Sequence, residues 1–209
     1  MGGTSPPIAV EPDAMIISVI LAHPNPGSFN HAIAQTACET LRRLGHEVVL
    51  HDLYAERFDP LLPYDEFDDN ASLPADIERH CREIAAADGI VIVHPNWWGG
   101  PPAIMKGWID RVLRPGVAYR FVEGDSGEGV PVGLLKARAA IVLNTSNTPR
   151  ERELAAFGDP LERIWRDCIF GLCGVPSFHR RMFEPIITST PEQRKQWLRE
   201  VEQAVRVLC

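Results

Sequence analysis

Residues 90–119, IVIVHPNWWGGPPAIMKGWIDRVLRPGVAY, decide how this chain is to be read. Ile90 to Val93 are all β-branched, the composition of a strand buried on both faces. His94 to Pro102 form a loop rich in Trp, Gly and Pro, and Ala103 to about Leu113 carry apolar residues at helical spacing. A strand, a short loop and a helix make half of a βαβ unit. In folds built of such units, ligands sit on the loops beyond the carboxyl ends of the strands. Trp97 and Trp98 fall in that loop. A planar heterocycle needs an apolar wall and hydrogen bonds to its edge. The two indoles offer the wall, and backbone N–H groups at Asn96, Trp98, Gly99 and Gly100 offer the bonds. Glycines at 99 and 100 would let the backbone come close. Two tryptophans capping the sheet from within would produce the same sequence.

Working outward, the same alternation recurs. Met15 to Ala22 (MIISVILA) is a continuous apolar run, the first strand. His23 to Ser28 are loop, and Ser28 is placed to cap a helix from Phe29 to Leu44, with Gly45 as its stop. Glu47 to Asp52 form the second strand. Leu53 to Pro74 read as an irregular surface excursion whose acidic residues, Asp65–Asp69, form a solvated loop. A helix over Asp76 to Ala87 precedes the opening stretch. After it, Pro115 to Val132, with EGDSGEG, read as a turn or small β-excursion. Ala139 to Asn144 form the fourth strand, followed by loop Thr145–Pro149. Pro160 to Cys173 read as a helix with Leu161, Ile164, Trp165, Cys168 and Ile169 on one face. Phe178 to Ile187 hold the fifth strand, and Pro191 to Leu208 a final helix opened by proline. The expectation is an α/β fold, a flavodoxin-like five-stranded parallel sheet in the order 2-1-3-4-5 with helices on both faces. Residues 1–14 read as a flexible tail and 15–209 as a single domain.

Composition narrows the function. The 209 residues carry 28 acidic and 21 basic side chains, a formal charge of −7. That balance leaves no footprint for nucleic acid. No apolar run approaches the roughly 20 residues of a membrane span, and the first residues lack the pattern of a secretory signal. Five cysteines without a CxxC pair read as buried free thiols in a reducing, cytoplasmic compartment, with no metal site.

Three loops are placed to carry chemistry: His23–Asn30, Pro95–Pro102 and Thr145–Pro149. The first opens a helix whose free N–H groups and dipole suit an anion, so it reads as a phosphate cradle or as an ordinary capped helix. The third offers short polar groups for a ring edge or for hydroxyls, or is a polar turn. Neither GxGxxG nor GxxxxGK[ST] occurs, which argues against a dinucleotide fingerprint and a P-loop. His23 and His94 end their strands at the same sheet edge, each an acid, a donor or a satisfied loop histidine. Lys106 reads as a solvated lysine.

HPNPGSFNHAIA after the first strand, DLYAERFDPLL after the second and HPNWWGGPPAIMKGWIDRVLRPGVAY around the third resemble the NAD(P)H:quinone oxidoreductases. This family of flavodoxin-like fold includes DT-diaphorase, modulator of drug activity B and the ancillary subunits of Kef potassium efflux systems. The resemblance implies a bound flavin, FMN or FAD, and NAD(P)H as co-substrate. It implies ping-pong, two-electron reduction of a quinone or another planar electron acceptor, and a homodimer with its sites at the interface. His23, Ser28, Phe29 and Asn30 match the loop that holds the flavin phosphate. Pro95, Asn96, Trp97, Trp98 and Gly99 match the loop that lines the isoalloxazine. Asn144, Thr145, Ser146 and Asn147 occupy the third flavin loop, where the animal enzymes have Thr-Thr-Gly-Gly. No residue corresponds to the Tyr and His that assist hydride transfer there, so catalytic residues stay unassigned. The same resemblance leaves two alternatives: a flavin-binding regulatory subunit of a transporter, or a flavodoxin-type electron carrier.

Overall fold

The computed structural model describes residues 14–68, 71–122 and 127–209. All but the last residue of the expected tail, together with Asp69 and residues 123–126 of EGDSGEG, lie outside them. Strand β1 (Ile16–Leu21) leads through helix α1 (Phe29–Arg43) to β2 (Glu47–Asp52). Helix α2 (Ala75–Ala86), β3 (Gly89–Pro95) and α3 (Ala103–Val112) follow. A two-residue antiparallel ladder, β4 (Tyr119–Arg120) with β5 (Val132–Gly133), forms the β-excursion. The chain then runs through β6 (Ala139–Thr145), α4 (Arg150–Phe157), α5 (Pro160–Arg163), β7 (Ser177–Phe183) and α6 (Pro191–Ala204).

The main sheet is parallel and ordered β2-β1-β3-β6-β7, which is the expected 2-1-3-4-5 once the small ladder is set aside. Every residue of β3 and β6 is buried, as their β-branched runs demand. Two cores flank the sheet. One lies beneath α1 and α6 and includes Ile17, Leu41, Leu143 and Trp197; the other lies beneath α2 and α3 and includes Ile20, Ile77, Trp108 and Trp165. In register, Leu21 pairs with Val93, Pro95 with Thr145, and Thr145 with Phe183. The strands therefore end together, and the loops after β1, β3 and β6 meet at one edge.

Several expectations change. The helix from Pro160 does not continue as α: residues 164–171 wind as a π-helix. Its wider turn aligns residue i with i+5. Phe170 thus stacks on Trp165, ring centroids 5.6 Å apart, while Ile169 is only half-buried and Cys168 faces out. Cys168 and Cys209 are exposed rather than buried thiols. Cys38, Cys81 and Cys173 are buried, and desolvation pushes each thiol up to about 11. Arg150–Phe157 form a helix that the sequence reading did not include. Strand β7 ends at Phe183, short of Ile187. The acidic loop is not wholly solvated: Glu66 is buried and ion-paired with the buried Arg111 of α3, whose Nε donates to Oε2 at 3.0 Å.

A second polar cluster pins the stretch after β2 to α2. His51 Nδ1 lies 3.0 Å from Glu56 Oε1 and His80 Nε2 lies 3.0 Å from Glu56 Oε2. His51 Nε2 sits 2.7 Å from Glu83 Oε2, out of hydrogen-bond alignment, so that contact is electrostatic. Trp108 Nε1 donates to His80 Nδ1 at 3.1 Å. A neutral His80 therefore carries its proton on Nε2 and gives it to Glu56, leaving no lone pair there for a metal ion. Burial works to raise the Glu56 carboxyl, but bonds from the two imidazoles outweigh it and hold it at about 2.

Candidate functional site

The sheet edge bears a hollow of about 410 Å³ between the loops after β1, β3 and β6. His23, Ser28, Phe29, Asn30, Pro95, Asn96, Trp97, Thr145, Ser146 and Asn147 all line it. The first wall is the start of α1. Asn25 organises it: its Oδ1 accepts from Gly27 N at 2.9 Å and its carbonyl from Ser28 N at 3.0 Å. Ser28 caps the helix by accepting from His31 N. Among the described residues no bond takes the amides of Phe29 and Asn30, so both remain as donors at the positive end of the helix dipole. Arg194, from α6, lies in the same hollow above the Phe29 ring, 5.8 Å from its centroid. Ser189 Oγ and the Ile186 carbonyl hold its guanidinium. A helix N-terminus and an arginine together make an anion subsite. His23 faces Trp97, ring centroids 6.2 Å apart. Burial, with His31 adding, lowers its pKa below the ordinary imidazole value.

The second wall is a tight hairpin. Trp97 and Gly100 exchange both backbone hydrogen bonds at 3.0 Å around a two-residue turn, Trp98-Gly99. Both turn residues have positive φ, 57° and 73°, as a type I′ turn requires. Such a backbone costs a tryptophan about 1–2 kcal/mol. The turn throws Trp98 out, fully exposed, while Trp97 stays half-covered against the hollow. Trp98 and Gly99 therefore do not line the main hollow. They face an adjoining one of about 350 Å³ with Arg152, Glu153, Phe157 and Pro160, and Asn96 and Thr148 form the shared wall. The amides of Asn96 and Gly100, expected as donors, are taken by the Thr145 and Trp97 carbonyls. Trp98 and Gly99 keep theirs.

The third wall corrects one placement. Asn144, expected both to end the fourth strand and to open the third flavin loop, is wholly buried within β6, which runs on to Thr145. Its Nδ2 lies 3.0 Å from His94 Nε2 and its Oδ1 accepts from Arg180 Nε at 2.8 Å. His94 is buried behind the site, its Nε2 accepting from Trp165 Nε1 at 2.9 Å. Both residues brace the wall from behind. Thr145 Oγ1 accepts from Asn30 Nδ2 at 2.9 Å, tying the first and third walls. Asn147 Oδ1 accepts from Ile187 N at 3.1 Å.

Two buried oxygens among the lining residues have no hydrogen-bond partner among the described residues: Asn30 Oδ1 and Asn96 Oδ1. Orphaned acceptors of this kind are costly in a finished core. Their presence beside an anion subsite and an indole wall fits a ligand with an anionic end, a polar middle and a flat end that carries N–H groups. The family model for the flavodoxin-like fold matches residues 15–206.

The chain belongs to the NAD(P)H:quinone oxidoreductase family of flavodoxin-like fold.

An uncharacterized NAD(P)H oxidoreductase of Haemophilus influenzae is 35% identical over 182 residues, covering 85% of this chain and 87% of that one. The solved NAD(P)H:quinone oxidoreductase of Methanothermobacter marburgensis superposes with a TM-score of 0.78 at 25% identity, over 93% of this chain and 97% of that one. An FMN-dependent NADH-azoreductase of Bacillus anthracis, solved with FMN, has a TM-score of 0.71 over 92% of this chain and 99% of that one. At 16% identity it shows the shared fold alone. As a member of this family the chain is an oxidoreductase.

Sequence reasoning missed Arg194 and, in the adjoining hollow, Arg152, Glu153, Phe157 and Pro160. Arg194 reaches the site through the packing of α6 on α1 and carries no local pattern. Arg152 and Phe157 sit on a helix the sequence did not reveal.

Proposed function

We propose that this protein binds a flavin, FMN or FAD, and uses NAD(P)H to reduce quinones or similar planar acceptors by two electrons in two successive half-reactions. A bound flavin would supply the chemistry that accepts and then delivers hydride. The chain's own part is to bind, orient and shield. Phe29 and Asn30 amides, Ser28 and Arg194 would hold the phosphate. Thr145, Ser146 and Asn147 offer polar groups for the middle of the molecule. Trp97 offers a wall and the unpartnered Asn96 Oδ1 an acceptor for the edge of the ring. Holding both substrates in turn against one face is a positioning contribution. Trp98 and Phe157, exposed across the adjoining hollow, offer a flat apolar seat for the acceptor.

The observation that carries this reading is the joining of an anion subsite to an indole wall in one hollow, with two orphaned amide oxygens beside it. We further propose a homodimer, supported by Leu61, Tyr64 and Phe67, large apolar side chains 74%, 92% and 69% exposed on one short stretch. The test of function is NAD(P)H-dependent reduction of menadione by protein supplied with FMN or FAD. Rapid turnover with one of the two supports the reading. Bound flavin with negligible turnover would favour a binding module, and no reduction with either flavin would contradict an enzymatic role.

A further inference from the structure

The start of α1 carries a hydrogen-bonded chain that a phosphate cradle does not need for its shape. Ser28 Oγ lies 2.9 Å from His31 Nδ1, and His31 Nε2 lies 3.0 Å from Asp52 Oδ2 at the end of β2. Both partners are mostly covered, with His31 and Asp52 side chains 19% and 23% exposed. Asp52 is itself held in place, its other oxygen accepting from Tyr54 N and Ala55 N at 3.2 Å. The titratable groups that face His31 are Asp52 from β2 and His23 from the loop after β1, ring centroids 6.3 Å apart.

The consequence follows from counting protons. Asp52, as a carboxylate, is an acceptor only, so His31 keeps a proton on Nε2. A neutral His31 then has a lone pair on Nδ1, and the Ser28 hydroxyl must spend its single proton on it. The Ser28 oxygen, one lone pair taken by His31 N, is left presenting the other to the hollow, where it repels an anion. A protonated His31 reverses the bond: Nδ1–H donates to Ser28 Oγ. That oxygen, already accepting from His31 N at 3.3 Å, then has both lone pairs used and its proton free to point into the hollow. The same three side chains thus make Ser28 an acceptor or a donor, according to one proton on His31.

We propose that the Ser28–His31–Asp52 chain is a positioning device that couples a proton on His31 to the phosphate end of the flavin, so that a phosphorylated flavin binds together with a proton and an unphosphorylated one does not. The inference rests on the flavin reading above. By linkage, a binding step that takes a proton up loses affinity for the phosphate as pH rises. Asp52 keeps the added charge balanced, so the coupling needs no second cation.

The experiment is calorimetric titration of flavin-free protein with FMN and, separately, riboflavin. It runs from about pH 7, where a phosphate monoester is already largely a dianion with second pKa near 6, to about pH 9. Two buffers of different ionisation enthalpy report protons taken up. FMN affinity is expected to fall toward tenfold per pH unit at the alkaline end with uptake approaching about one proton, while riboflavin shows neither effect. His31→Gln should flatten the FMN profile and abolish uptake; His23→Gln should leave the slope in place. Circular dichroism verifies that the variants are folded, and Ser28→Ala gives a second route to the same loss of coupling. A slope and uptake that survive in His31→Gln, or that riboflavin shares, overturn the proposal while leaving the flavin reading intact. Binding of none of FMN, riboflavin and FAD at any pH overturns both.

Discussion

At His94 the imidazole is wholly buried, with Trp165 donating to Nε2 and Nδ1 donating to the Pro95 carbonyl at 2.8 Å. Desolvation outweighs that carbonyl bond and lowers the pKa to about 4. A second proton would set Nε2–H against the Trp165 N–H and beside Arg180. The unfolded chain, with an ordinary imidazole near 6.5, binds that proton more readily. Stability from this residue is therefore present above about pH 6.5 and lost as pH falls toward 4, by up to about 3 kcal/mol. Urea midpoints at pH 7 and pH 4.5 check this: the drop between them should narrow in His94→Gln, and an equal drop in both proteins would rule His94 out as its source. The histidine at a strand end in the sequence is thus a structural one, and only burial, which the sequence does not state, separates it from a catalytic acid. Asn144 teaches the same lesson. Its side chain turns inward to His94 and Arg180, so it braces the ring edge from behind rather than meeting it.

Elements differ in how well their sequences announce them. The β3 and β6 runs were legible because strands buried on both faces must be apolar throughout, and α1 because Ser28 and Gly45 mark its ends. Helix α4 was not, because only Glu153 among its residues is buried and so no apolar stripe exists to be read. Of the face read for the π-helical segment, Leu161 and Trp165 are buried but Cys168 is not and Phe170 takes its place, because the i, i+5 alignment lies outside the 3.6-residue period. The β4–β5 ladder depends on a close approach: a Cβ on Gly133 would lie 2.3 Å from the backbone of Cys173 and Gly174. No flexible side chain can yield there. Gly133→Ala should therefore cost about 1–3 kcal/mol, read as a shift in chemical denaturation, and an unchanged midpoint would show that the ladder moves freely.

For the whole molecule, strand order and register gather three loops from distant stretches of sequence at one edge. The alternation of elements foretells those three loops, and most of their residues line one hollow. What the sequence withholds is whatever arrives by packing: Arg194 from the last helix, the Trp98–Phe157 hollow, and the division between a residue that lines the site and one that braces it. Among the described residues no helix is long and apolar enough to cross a membrane. The hollow and its neighbour bring together the exposed indoles of Trp97 and Trp98 and the unpartnered oxygens of Asn30 and Asn96. The most direct measurement is the visible spectrum of the purified protein after incubation with FMN or FAD and removal of free flavin by gel filtration. Retention of about one flavin per chain, with its absorption bands shifted from those of the free molecule, is the result predicted; emergence of all the flavin in the small-molecule fraction would contradict the account.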